Sequence, residues 1–245
     1  MKKEYIGLTA LLALSFVLFT FSTPFKRVML KERTEIKDTV VSGVDTITEP
    51  PIEQRVMDTA AKNILFVGDS MLEGLGPRLA AYAQENGHTL VYVIWYSSTT
   101  EVWGRTDKLA GYIKEFNPDY IFISLGGNEL FVRDIQTKRQ KYVDNMLAQI
   151  GDIPYIWIGP PNWKEDTGIN DMLEASCKKG TFYLSKNDTF QRAKDGAHPT
   201  RTSAAAWCDR VCAWVMEESA YPILLEKPEA NLKGKAKVIV LAPAK

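Results

Sequence analysis

The residues of this chain best suited to chemistry are among its scarcest. It has only two histidines, His88 and His198, and the second lies in DGAHPT, Asp195 to Thr200. An aspartate stands three residues before His198 and a proline directly after it. Imidazole is the side chain whose ordinary pKa suits proton transfer near neutrality. A carboxylate three residues upstream can return to the ring within one turn and fix its tautomer, while Pro199 restricts the backbone of His198. A base needs a proton to take, and GDSM, Gly68 to Met71, supplies a candidate. Gly68 permits a tight turn, Asp69 can cap, and Ser70 would stand at a helix amino-terminus, where the dipole and free N–H groups favour developing negative charge. In LGGNE, Leu125 to Glu129, two glycines bring the backbone close to any ligand and Asn128 offers an amide donor. Taken singly, these are a helix cap, a surface turn and a glycine turn. Taken together they describe acyl transfer: a serine activated by a histidine, the histidine oriented by an aspartate, and donors for an oxyanion.

Such residues must be brought together by the elements around them. From Asn63 onward short apolar, β-branched runs alternate with stretches of helical character. Strands are expected at 63–68, 88–95, 119–126, 154–159 and 181–185, and helices at 74–85, 107–116, 134–150, 170–178 and 202–218. Strands apolar on both faces, alternating with helices, imply a parallel sheet covered on each side, a three-layer α/β/α domain. Loops leaving the carboxyl ends of such strands gather at one edge, where ligands bind. Ser70, Asn128 and His198 all follow strands and share that edge. His88 begins a strand and belongs to the opposite edge. No phosphate-binding GxxxxGK[ST] pattern occurs.

Over roughly Asn63 to Ser219 the chain resembles the SGNH or GDSL hydrolases, serine esterases and acyl-handling enzymes on a flavodoxin-like fold. GDSM, GGNE and DGAHPT stand in the order of that family's motifs. The resemblance implies Ser70 as nucleophile, His198 as general base, Asp195 as its orienter, and an oxyanion hole formed by the Ser70 N–H and Asn128. One motif departs. Where the family has a glycine after the second strand, WYSSTTEVW (Trp95 to Trp103) places Ser97. A main-chain N–H survives that replacement, so Ser97 is the third expected donor. Asp69, Trp95, Tyr96, Trp103 and Trp163 are expected around the substrate pocket, the aromatic rings stacking on sugars. The expected substrate is an envelope glycan carrying small O-acyl groups. An acyltransferase using the same residues, and a glycan-binding protein without catalysis, are the alternatives. No cofactor or metal is expected.

The rest of the chain frames this domain. Ile6 to Phe25 is a charge-free run of twenty residues after Lys2 and Lys3. At about 1.5 Å per residue it is long enough for a hydrocarbon core of about 30 Å. Residues 1–27 are therefore read as a membrane anchor, with a signal sequence as the alternative. Residues 28–62 are rich in Lys, Glu, Thr, Asp and Pro and read as a polar tether. The catalytic domain, 63–219, is expected outside the cytoplasm, in the periplasm or beyond the cell. Residues 220–245 form a tail in which KVIVLAP has the composition of an added strand. Zero formal net charge argues against an electrostatic hold on nucleic acid. The three cysteines, Cys177, Cys208 and Cys212, form no CxxC pair. Spacing leaves open whether Cys177 pairs with either of the others.

Overall fold

The computed structural model describes residues 55–244. The expected anchor, and the expected tether up to residue 54, lie outside them.

Six strands form one sheet: β1 (Asn63–Gly68), β2 (Thr89–Trp95), β3 (Tyr120–Ser124), β4 (Tyr155–Ile158), β5 (Phe182–Tyr183) and β6 (Lys237–Leu241). Their order is β5-β4-β3-β1-β2-β6, and every neighbouring pair is parallel. The alternation of side chains along each strand divides the core in two. Ile64, Phe66, Tyr92 and Ile94 face α1 (Leu72–Glu85) and α6 (Arg201–Glu217). Leu65, Val67, Val93 and Trp95 face α2 (Thr100–Gly104), α3 (Lys108–Phe116), α4 (Ile135–Ile150) and α5 (Ile169–Ser176). Burial on both faces explains why the central strands read as continuous apolar runs. The expected strands and helices agree with their counterparts to within about two residues, the uncertainty usual at element ends, while the short α2 had no expected counterpart.

Two features of this layout position the site. The chain runs outward in one direction from β1 to β2 and in the other from β1 to β3, so the strand order reverses at β1/β3. GDSM leaves β1 and GGNE leaves β3, which puts both motifs at the crevice such a reversal opens. Gly68 lets them approach: a Cβ there would lie 2.4 Å from the Ser124 carbonyl oxygen.

The ends of the described chain also belong to the fold. Residues 55–62, read as the last of the tether, run against the domain, where Asp58 N–H donates to the Pro222 carbonyl (2.9 Å) and Leu224 N–H to that of Asp58 (3.0 Å). Ile223 and Leu225 of the tail are buried in the core. The tail then crosses α1 and pairs with β2 as β6. Cys177, Cys208 and Cys212 are all free thiols, the latter two buried in the α6 face of the core. Among the described residues no helix is long and apolar enough to cross a membrane.

Candidate active site

Ser70 lies in the turn between β1 and α1, with its carbonyl accepting from Glu73 N–H (3.1 Å). Its Oγ stands 2.7 Å from His198 Nε2. On the other side of the ring, His198 Nδ1 stands 2.8 Å from Asp195 Oδ2. Asp195 Oδ1 accepts from the backbone N–H groups of Ala197 (2.9 Å) and His198 (3.0 Å). The carboxylate therefore builds the turn that carries the histidine as well as orienting the ring. The backbone N–H of His198, followed by its side chain and Ala197 N–H, holds Asp195 down to a pKa of about 2. An ionised Asp195 accepts Nδ1–H, which leaves the Nε2 lone pair for the Ser70 hydroxyl proton.

The loop is braced from outside. Ala193 N–H donates to the His198 carbonyl (2.8 Å) and Thr200 N–H to that of Gln191 (2.8 Å). Gly196 supplies the left-handed corner at φ +72°. Arg192 donates to the Ala197 carbonyl (2.7 Å) and across to that of Asn162 (2.9 Å). Sequence reasoning missed Arg192, whose partners are backbone carbonyls, one five residues on and the others about thirty residues back, which no side-chain pattern marks. Thr200 then caps α6, its hydroxyl accepting from Ser203 N–H (3.3 Å).

The oxyanion side is built from two loops. Ser97 has φ +57°, a left-handed conformation at the position where the resembled family has glycine. Among the described residues neither Ser70 N–H nor Ser97 N–H has an intramolecular acceptor, so both are free to donate. Asn128 is placed differently. Its Nδ2 donates to the Ser98 carbonyl (2.9 Å) and makes a longer contact to Asp69 Oδ2 (3.4 Å). An oxyanion must compete with Asp69 for that second hydrogen.

Asp69 is not a pocket residue. It is 1% exposed and accepts from Met71 N–H (2.9 Å). Burial raises its pKa to about 7, against the lowering effect of that hydrogen bond and of His198. Glu129, also missed from sequence, is fully buried. It accepts from Thr100 N–H (2.8 Å), Thr100 Oγ1 (2.9 Å) and Arg139 Nε (2.7 Å). It thereby ties the loop of Asn128 to the start of α2, just after Ser97 and Ser98.

The expected aromatic wall is largely elsewhere. Trp95 and Trp103 form an edge-to-face pair in the core, with centroids 5.3 Å apart. Trp103 is 0% exposed and donates to Ser98 Oγ (3.0 Å). The period of β2 turns Trp95 away from the α1/α6 face, so neither ring can reach a ligand. Trp163 is half-buried, donates to the Gly127 carbonyl (2.8 Å) and lies edge-on to Phe131. It braces the GGNE loop from outside the cavity. Tyr96 does line the cavity, with its hydroxyl donating to Glu73. This cavity, about 720 Å³, opens beside Ser70 and His198 and is walled by Tyr92, Ile94, Tyr96 and Ser97 on one side and Pro199, Arg201 and Ala204 on the other. His88 sits at the far edge, accepting from Lys62 N–H at Nδ1 (3.1 Å) and donating from Nε2 to the Leu224 carbonyl (2.7 Å). Among the described residues no group of His, Cys, Asp or Glu converges to hold a metal ion.

No protein-family model matches the chain, and no curated protein matches it. Among solved structures it is similar to TesA, at 18% identity and TM-score 0.49 over 62% of this chain and 97% of the other. It is also similar to a family 3 carbohydrate esterase of Clostridium thermocellum, at 14% identity and TM-score 0.48 over 64% and 96%. A third is LAE5, an alpha/beta hydrolase enzyme from the metagenome of Lake Arreo, Spain, at 16% identity and TM-score 0.47 over 64% and 96%. Ser70, His198 and Asp195 are thus in hydrogen-bond contact at the carboxyl edge of a parallel sheet, the arrangement that the resemblance of the chain's motifs to those of the SGNH/GDSL hydrolases implies.

Proposed function

We propose that this chain is a serine esterase that removes small O-acyl groups from a glycan of the cell envelope through an acyl-Ser70 intermediate. The observation that carries the reading is the continuous contact Ser70–His198–Asp195, 2.7 Å and 2.8 Å long, opening on a cavity. Ser70 Oγ attacks the ester carbonyl carbon while Nε2 of His198 takes its proton. The carbonyl oxygen, now anionic, receives hydrogen bonds from Ser70 N–H, Ser97 N–H and Asn128. The intermediate collapses as the imidazolium returns the proton to the departing alcohol, leaving the acyl group on Ser70. A water activated by the same imidazole then releases the acid. Loss of one oxyanion donor in such sites costs about 10²–10³ in rate.

An acyltransferase reading uses the same residues, with a second alcohol in place of water, and the size of the cavity leaves room for an acceptor. The envelope location rests on the apolar run Ile6 to Phe25, from which the domain would be held outside the cytoplasm. Wild-type protein should be labelled by a fluorophosphonate and should hydrolyse p-nitrophenyl acetate, and Ser70→Ala should do neither. Labelling that persists in Ser70→Ala would place the nucleophile elsewhere.

A further inference from the structure

The oxyanion donor expected of Ser97 is one half of the Tyr96–Ser97 peptide, and the other half is held by the tail. Ser98 N–H donates to the Trp95 carbonyl (3.1 Å), closing a four-residue turn with Tyr96 and Ser97 at its corners. Of these two only Ser97 has positive φ, +57°, which is the sign pattern of a type II turn. Types I and II differ in the orientation of the peptide between the corners, so this is the peptide that can flip. Glycine at the second corner favours the type II form, whereas a residue with a Cβ favours type I. With serine there, the turn by itself leans toward the flipped form.

Beyond β6 the chain supplies what opposes the flip. Ala244 N–H donates to the Tyr96 carbonyl (3.0 Å). Ala244 packs against the core on the α2–α5 side of the sheet, while the cavity beside Ser70 lies on the other side, against Tyr92 and Ile94. The peptide is trans, so its N–H points away from its carbonyl and hence away from Ala244. That N–H has no acceptor among the described residues, and Ser97 lines the cavity. Flipping would break the Ala244 bond and put a carbonyl oxygen where the donor had been.

We propose that Ala244 is a positioning residue for catalysis: its N–H holds the Tyr96–Ser97 peptide with the Ser97 N–H turned to the oxyanion, replacing the conformational preference that glycine at position 97 would supply. The assignment rests on the serine-esterase reading of Ser70.

In the full chain, Ala244→Pro removes the N–H and leaves β6 paired, since it lies three residues past the end of that strand. One net hydrogen bond biases such an equilibrium by about two- to tenfold. The kcat for p-nitrophenyl acetate should fall by about that factor with KM little changed, because the donor acts on the transition state. In Ser97→Gly the turn keeps its form unaided, and adding Ala244→Pro should cost kcat less than about twofold. A contribution to stability alone would give the same loss in both backgrounds. Orientation is read directly from the NOE between Tyr96 Hα and Ser97 N–H, strong in the type II form and weak in type I. It should weaken in Ala244→Pro and recover when Ser97→Gly is added. An unchanged kcat or NOE in Ala244→Pro, or an equal loss of kcat in both backgrounds, would overturn the assignment while leaving the esterase reading intact. An NOE that depends on Ala244, with no ester turnover by wild type, would instead sink the esterase reading and keep the hold of the tail on this peptide.

Discussion

Ser97 is the residue at which the chain departs from the family it resembles, and its backbone shows what the departure costs. A side chain at φ +57° is held in a region that disfavours L-residues by about 1 kcal/mol. Ser97→Gly should relieve that strain, raising stability by less than about 1 kcal/mol because glycine also loosens the unfolded chain. Ser97→Val, β-branched, should lower stability by more; urea denaturation of the two variants checks the order. Asp195 carries the pH dependence that can be read from the site. Its pKa falls to about 2 in the folded protein from an ordinary 3.8. The charged form thus favours folding, a contribution complete above about pH 4 and lost as pH falls through about 2. Denaturation midpoints measured across that window should fall less steeply for Asp195→Asn than for wild type. The same variant should lose kcat by less than the roughly 10⁴ known for a buried serine-protease aspartate, because the side chains of Asp195 and His198 are 51% and 37% exposed.

Between elements, the site depends on a carboxylate that never touches substrate. Glu129 ends the GGNE motif and binds the first residue of α2, so it couples the loop of Asn128 to the loop of Ser97 and Ser98. Arg139 of α4 answers its charge at 2.7 Å and also pairs with Glu101 of α2 (2.9 Å). Breaking a buried pair by neutralising one partner costs about 3–5 kcal/mol. Glu129→Gln should fall at or below the lower end, because the amide oxygen can still accept from Thr100. Its turnover at a temperature where it stays folded should be reduced in kcat more than in KM, since the donors it places act on the transition state. Equilibrium unfolding and steady-state kinetics on one preparation separate the two effects. The sequence announces Asn128 through its glycine turn, but it places Glu129 only as the next polar residue. Its partners Thr100 and Arg139 lie on two other elements and become neighbours only when those pack.

At the scale of the whole molecule, the sheet is closed on one side by the tail. To reach β2 the chain crosses α1 at Gly234, where a Cβ would lie 1.9 Å from the Ala80 carbonyl carbon. Gly234→Ala should therefore displace the crossing and weaken β6, at a cost of about 1–3 kcal/mol, read as a lower Tm and earlier proteolysis of the tail. Local information was enough for the strands, because an apolar run such as Ile64 to Val67 must be buried on both faces wherever it lies. It was enough, too, to bring Ser70, His198 and Asp195 to one edge, since each follows a strand and the aspartate reaches the histidine within a single turn. What tertiary structure decided was the direction of side chains whose composition is neutral to it. The alternation of β2 sends Trp95 into the core and Tyr92 toward the cavity, and the packing of α2 against α4 seals Trp103 away. Burial decided that Asp69 serves Asn128 and the turn, not a ligand. An aromatic or acidic residue near a motif has the same composition whether it faces solvent or core. Only the pairing of strands and the contact of helices distant in sequence assign it a side.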